Sequence, residues 1–87
     1  MQRYILLFIT KILIFSSTVT AGKVDRGFEA LEIYNYFEAK KLFEQKMDRN
    51  PLAAGFGLSI IYSRNDNPFY DLDSAKKYVQ SAVSAID

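Results

Sequence analysis

Apolar residues return every three or four positions in three stretches of this chain, a spacing that predicts α-helices rather than strands. A fourth stretch, from Leu52 to Ser63, is apolar on nearly all sides. The chain therefore predicts an all-α fold of four short helices. The periodic positions are Phe28, Leu31, Tyr34 and Phe37 in the first stretch, Tyr36, Ala39, Phe43 and Met47 in the second, and Leu72, Ala75, Val79, Ala82, Val83 and Ile86 in the last.

Residues typical of helix ends separate these stretches. Asn35 is expected to form the first tight turn, because Asn tolerates the left-handed backbone conformation that ends many helices. Pro51 cannot continue a helix but is well suited to open one, with Asn50 as the N-cap. The other N-caps are expected at Asp25 for the first helix and at Asp71 or Asp73 for the fourth.

Small residues indicate where the helices cross. Ala39 and Ala75 are expected at the crossing points of two helical hairpins, where a larger side chain would force the helices apart. The third helix contains Gly55 and Gly57, which permit close approach of a neighbour. Because it is apolar all round, we expect this helix to be sandwiched between others.

Residues 1–21 have the pattern of a signal peptide. An apolar stretch follows Arg3 and ends before the small residues Val19 and Ala21, which fit the shallow pockets of the signal peptidase. Cleavage after Ala21 would make the protein periplasmic or secreted. Lys11 interrupts the apolar stretch. The alternatives are an uncleaved membrane anchor, which would be the chain's one contact with a membrane, and a buried first helix of the fold.

The composition argues against several kinds of function. The chain has neither Cys nor His, so it lacks the usual general base and the commonest metal ligands. Of its eleven basic residues, Arg3 and Lys11 lie in the leader, which leaves nine against ten acidic residues. That balance does not suit nucleic-acid binding. We expect no enzymatic activity, no catalytic residues, no metal and no cofactor.

The acidic residues near the last loop are predicted to cap helices rather than to bind calcium. Asp66, Asp71 and Asp73 are close together in sequence. However, Pro68 and Phe69 occupy positions where an EF-hand loop needs a ligand and a glycine.

Five residues are candidates for binding a protein or peptide partner. Phe69 and Tyr70 lie in a predicted loop, where aromatic rings are available for contact. Val79, Val83 and Ile86 continue the stripe of the last helix, which has no following helix to cover it. An exposed apolar stripe is an interaction surface, and self-association through it is a further expectation.

The marker spacing resembles that of the tetratricopeptide repeat and the related Sel-like repeat. The segment from Tyr36 to Glu44 looks like the second helix of a tetratricopeptide repeat, and Pro51 matches its closing proline. Leu58-Ser59-x-x-Tyr62 is close to the Leu-Gly-x-x-Tyr of both families. The thirteen residues from Tyr62 to Ala75 match the Sel-like interval, and the residues that then follow the Sel-like pattern are Asp71, Ala75, Tyr78 and Ala82.

The resemblance covers roughly residues 28 to 86, nearly all of the chain after the leader. It implies two antiparallel helix hairpins of an α-solenoid behind the signal helix, with residues 22–87 forming about two repeats. It also implies binding of a protein or peptide without catalysis. The alternative is a structural N-terminal spacer of a larger cell-envelope protein, anchored in the membrane if the leader is kept. The chain ends in mid-pattern at Asp87, which favours a truncated array.

Overall fold

The protein is all-helical in a computed structural model that describes residues 22–86. This part of the chain contains four α-helices and no strand, which confirms the predicted fold class. The predictions for the leader, including cleavage after Ala21, fall outside the described residues. The helices are α1 (Lys23–Glu32), α2 (Tyr36–Lys46), α3 (Pro51–Ser63) and α4 (Leu72–Ser84).

The turn between α1 and α2 has the hydrogen bonds of a Schellman motif. The backbone N–H of Asn35 donates to Ala30 O at 2.8 Å, and that of Tyr34 donates to Leu31 O at 3.0 Å. The left-handed residue is therefore Tyr34, with φ of 60°, and the prediction of Asn35 for that position was wrong by one residue. The Asn35 side chain instead caps α2 by accepting the N–H of Glu38 at 3.3 Å.

Replacing Tyr34 with glycine is expected to stabilise the protein. A left-handed conformation costs an L-residue roughly 1–2 kcal/mol, which glycine does not incur. The greater freedom of glycine in the unfolded chain offsets part of that gain. In urea unfolding, we expect the free energy of unfolding of Tyr34→Gly to be about 0.5–1 kcal/mol higher than that of Tyr34→Ala. Both substitutions remove the ring, but only glycine relieves the strain of the left-handed backbone. Equal stabilities of the two variants would contradict this account of the turn.

The start of α1 differs from the prediction. The helix begins at Lys23, its N-cap is Gly22, and no side chain caps it, so Asp25 is not the cap. Asp25 lies within the first turn instead. A carboxylate in the first turn interacts favourably with the positive end of the helix dipole. An acidic residue is therefore suitable both at the N-cap and in the first turn.

The other predicted caps are confirmed. Asn50 accepts the N–H of Ala53 at 3.3 Å, and Pro51 is the first residue of α3. Of the two candidates for α4, Asp71 is the cap: it accepts the N–H of Ser74 at 3.5 Å. Asp73 lies in the first turn of that helix.

The core is built around Phe43, which is fully buried on α2. Glycines on two other helices leave room for its ring. A Cβ at Gly27 of α1 would be 2.7 Å from ring atom Cε1, and one at Gly57 of α3 would be 2.5 Å from Cε2. The ring therefore occupies the space where these two side chains are missing. The buried residues around it are Ala30, Leu31, Tyr36, Ala39, Ala54, Leu58 and Ile61.

Each helix packs against its neighbour in sequence, and α3 also contacts α1. Ala39 and Ala75, the predicted crossing residues, are both buried. Gly55 of α3 faces α4: a Cβ there would lie 3.1 Å from the carbonyl oxygen of Tyr78 and 3.4 Å from the Cβ of Ala82. A side chain there would be tightly packed, because the nearest facing atom belongs to the backbone of α4.

The third helix is not enclosed on all sides. It contacts α1, α2 and α4, yet Leu52 and Phe56 on its remaining side are exposed. The prediction that α3 would be sandwiched is therefore wrong for this side. Three neighbours cannot cover a helix completely, and its uncovered side becomes part of the surface described next.

Candidate interaction groove

An apolar groove of about 420 Å³ lies between α3 and α4 and is closed at one side by α1. Its exposed lining is entirely apolar. We call it the α3–α4 groove. Its lining residues are Phe28 of α1, Leu52, Ala53 and Phe56 of α3, and Val79, Ala82, Val83 and Ile86 of α4.

The rim of the groove is held in place by the core. The Phe28 ring packs edge-on against the buried Phe43 ring, with centroids 4.8 Å apart, and lies 6.4 Å from the ring of Phe56. On the opposite side, Ala82 is buried against Gly55 and forms part of the floor. Small residues below and large ones at the rim therefore give the surface its concave shape.

The side chains on the walls are exposed to an unusual degree for aliphatic and aromatic residues. Phe56 is 54% exposed, Val83 57% and Ile86 66%. Apolar surface of this kind gains free energy when it is removed from water. With no carboxylate, amine or hydroxyl in its lining, the groove has no group for proton transfer or for metal binding. What it can do chemically is bind apolar side chains.

Three of the five predicted partner-binding residues lie together in this groove. They are Val79, Val83 and Ile86, which form one row along α4. Sequence reasoning missed the opposite wall, formed by Phe28, Leu52, Ala53 and Phe56. The available signal was the pair Leu52 and Phe56, which are four residues apart and so share a face of α3.

Phe69 and Tyr70 do not line the groove. Phe69 packs edge-on against Phe37, with ring centroids 4.9 Å apart, and the Nζ of Lys40 lies 5.0 Å from the centre of its ring. Phe69 thus covers part of α2, while Tyr70 is exposed beside it. The structure separates these two residues from the stripe on α4.

The surface around Lys40 is polar and charged. Its Nζ donates to Oε2 of Glu44 at 2.8 Å, and this hydrogen bond raises the pKa of Lys40, against a smaller lowering by partial burial. Tyr62 stacks on Tyr78 with centroids 5.5 Å apart. Burial raises the pKa of the Tyr62 hydroxyl, and the nearby charge of Lys40 opposes that rise. The first of these contacts lies within α2, and the stacked rings join α3 to α4.

The acidic residues near the last loop have structural partners. Asp66 accepts the hydroxyl of Tyr36 at 2.8 Å, which fastens the loop before α4 to the start of α2. Arg64 donates to the same hydroxyl at 3.4 Å. Asp71 caps α4, as described above. Within residues 22–86, no group of three or more His, Cys, Asp or Glu side chains is arranged to hold a metal ion.

Comparisons with protein-family models, curated proteins and solved structures find no match. The functional argument therefore depends on the geometry of the groove.

No helix within the described part of the chain is long and apolar enough to cross a membrane.

Proposed function

We propose that this protein is an exported helical-repeat module that binds a protein partner through the α3–α4 groove and catalyses no reaction. The observation that carries the proposal is the wholly apolar lining of a concave surface between two helices. Export follows from the signal-peptide pattern of residues 1–21, with cleavage after Ala21. Binding then takes place in the periplasm or outside the cell.

The size of the apolar surface supports this proposal. Six large side chains contribute to the groove, and most are about half exposed. Over their whole exposed surface, of which the groove lining is a part, they present on the order of 500 Å². Patches of roughly 300–600 Å² are the largest that ordinary monomers expose, and they are often binding sites. At roughly 25 cal/mol per Å², each 100 Å² that a partner covers would contribute about 2.5 kcal/mol before the costs of association.

The order of helix packing supports a helical occupant. α3 packs against both helices of the first pair, α1 and α2. In stacked helix pairs, each new helix lies on both helices of the pair before it. The groove between α3 and α4 is the equivalent place on the second pair. An amphipathic helix with large apolar side chains therefore suits it, as in other helix-in-groove complexes.

Site-specific photocrosslinking tests the proposed function. The chain is expressed with benzoylphenylalanine at position 56, in the groove, or at position 37 as the control. Both natural residues are exposed phenylalanines, but Phe37 lies on α2 outside the groove. We expect irradiation of intact cells to give a discrete protein adduct from position 56 and none from position 37. Equal adduct formation at the two positions, or none at position 56, would refute binding through the groove.

A further inference from the structure

We propose that the partner in the α3–α4 groove is a second copy of this chain, placed by a two-fold axis that passes beside Val83. In this arrangement the two α4 helices pack antiparallel. The inference rests on the proposed function, since it names the occupant of the same groove. It goes further by specifying the symmetry of the contact and the residues that meet across it.

The row of apolar residues at the rim of the groove has a shape that fits the groove of a second copy. Val79, Val83 and Ile86 are spaced by four and three residues, so they form one row on α4. This row is a ridge beside the furrow formed with Leu52 and Phe56 of α3. A second copy turned through 180° places its ridge in the furrow of the first, and the first copy does the same in return. A two-fold contact of this kind uses one patch twice and closes the assembly.

The opposite end of the described structure does not offer an equivalent apolar surface. The outward side of α1 is charged: its exposed residues are Lys23, Asp25, Arg26, Glu29 and Glu32. Stacking that side into the groove would bury charges against an uncharged lining, which is unfavourable. Ile33, Tyr34 and Phe37 are exposed around the turn between α1 and α2, but they do not form a row along one helix. The α3–α4 groove of a second copy therefore fits this groove better than its α1 does.

Charge placement favours the antiparallel orientation. Lys76 lies one turn before Val79, near the N-terminus of α4. With Val83 at the axis, Lys76 of one copy comes within side-chain reach of the C-terminal end of the other α4. Lysine is favourable at that end because the helix dipole is negative there. A parallel pair would instead place the two Lys76 side chains beside each other.

The area that the two copies can bury sets the strength of the contact. The exposed surface of the lining residues is at most roughly 500 Å² in each copy, so two copies bury no more than about 1,000 Å² in total through these residues. Specific interfaces begin near that value, and contacts at this limit are weak. We therefore expect a dimer that dissociates on dilution rather than a permanent one.

Cysteine crosslinking of the full chain tests the inference directly, because the sequence contains no cysteine. A residue beside a two-fold axis meets its own counterpart. Under mild oxidation Val83→Cys should therefore form a disulfide-linked dimer much faster than Gln80→Cys, a matched exposed position on α4 outside the groove. A mixture of Val79→Cys and Ile86→Cys chains should give the mixed dimer in preference to either homodimer. Equal rates for Val83→Cys and Gln80→Cys would overturn the inference.

Sedimentation of the unoxidised chain supplies a second measurement. Val83→Glu should weaken dimerisation roughly 30-fold or more, as expected for an apolar residue at the centre of an interface. Gln80→Glu adds the same charge to the same helix and should leave dimerisation unchanged. Both positions are exposed, so circular dichroism should show equal helix content. Equal dissociation constants for the two variants would also overturn the inference.

The photocrosslinking experiment separates this inference from the proposed function. An adduct from position 56 with twice the mass of the chain supports the second copy. An adduct of any other mass contradicts the second copy and leaves binding through the groove intact. Absence of an adduct from position 56 would contradict both the proposed function and the second copy as the partner.

Discussion

Replacing Phe43 with alanine is expected to lower the free energy of unfolding by about 3–5 kcal/mol, because the large ring is fully buried and its removal leaves a cavity. Native domains are stable by only about 5–15 kcal/mol, and small ones lie near the lower limit. The variant should therefore be partly or wholly unfolded. Thermal melting followed by circular dichroism, in parallel with the unmutated chain, measures this effect.

Phe37→Ala is the matched control for this substitution. Phe37 is on the same helix but is 66% exposed, and its main contact is the ring of Phe69. An exposed aromatic contact of this kind contributes about 0.5–1.5 kcal/mol beyond area burial. We therefore expect a large decrease in the free energy of unfolding for Phe43→Ala and a small decrease for Phe37→Ala. Similar losses would mean that the core does not centre on Phe43.

Gly57→Ala should destabilise the protein although alanine is the better helix former. In an unhindered helix the change would add about 1 kcal/mol of stability. Here the new Cβ would come within 2.5 Å of Cε2 of Phe43. The ring has little room to move away, because it also lies close to α1, where a Cβ built at Gly27 would be 2.7 Å from Cε1. Overpacking of this kind costs roughly 1–3 kcal/mol, so we expect a net loss measured by urea unfolding.

A smaller side chain at position 43 should relieve this clash. If the Phe43 ring is the obstacle, Gly57→Ala should cost much less in a Phe43→Leu background than in the unmutated chain. The difference is the coupling energy of a double-mutant cycle, expected between about 0.5 and 3 kcal/mol for residues in contact. Gly22→Ala is the control: a Cβ there meets nothing within 4 Å, so its effect on stability should be the same in both backgrounds. Equal losses from Gly57→Ala in both backgrounds would contradict the packing described for Phe43.

The residues that line the groove illustrate how much a linear pattern can predict. The row Val79, Val83 and Ile86 was predicted because helical spacing places residues on one face wherever the helix lies. The facing wall was not, because Phe28 and Phe56 are far apart in sequence and meet only when α1 packs on α3. Phe69 was assigned to partner binding for its loop position, but its contact with Phe37 could not be inferred from that position.

The sequence by itself determined the local structure. Three of the four helices follow from periodicity and the other from an apolar stretch. Asn50, Pro51 and Asp71 mark helix starts because their side chains act on backbone groups within three residues. Such interactions need no distant partner. Even the errors at Asp25 and Asn35 are displacements of a few residues along the chain, because neighbouring positions at a helix end suit the same side chains.

The tertiary structure alone decided which apolar surfaces are covered. Leu58 and Phe56 are both apolar residues of α3, yet Leu58 is fully buried and Phe56 is half exposed. Hydrophobic burial has no direction of its own, so an apolar helix does not specify which side its neighbours take. The shape of the helix surfaces decides which side is covered. The Phe43 ring packs against Gly27 and Gly57, and α4 packs against Gly55. The side of α3 that no helix covers forms part of the α3–α4 groove.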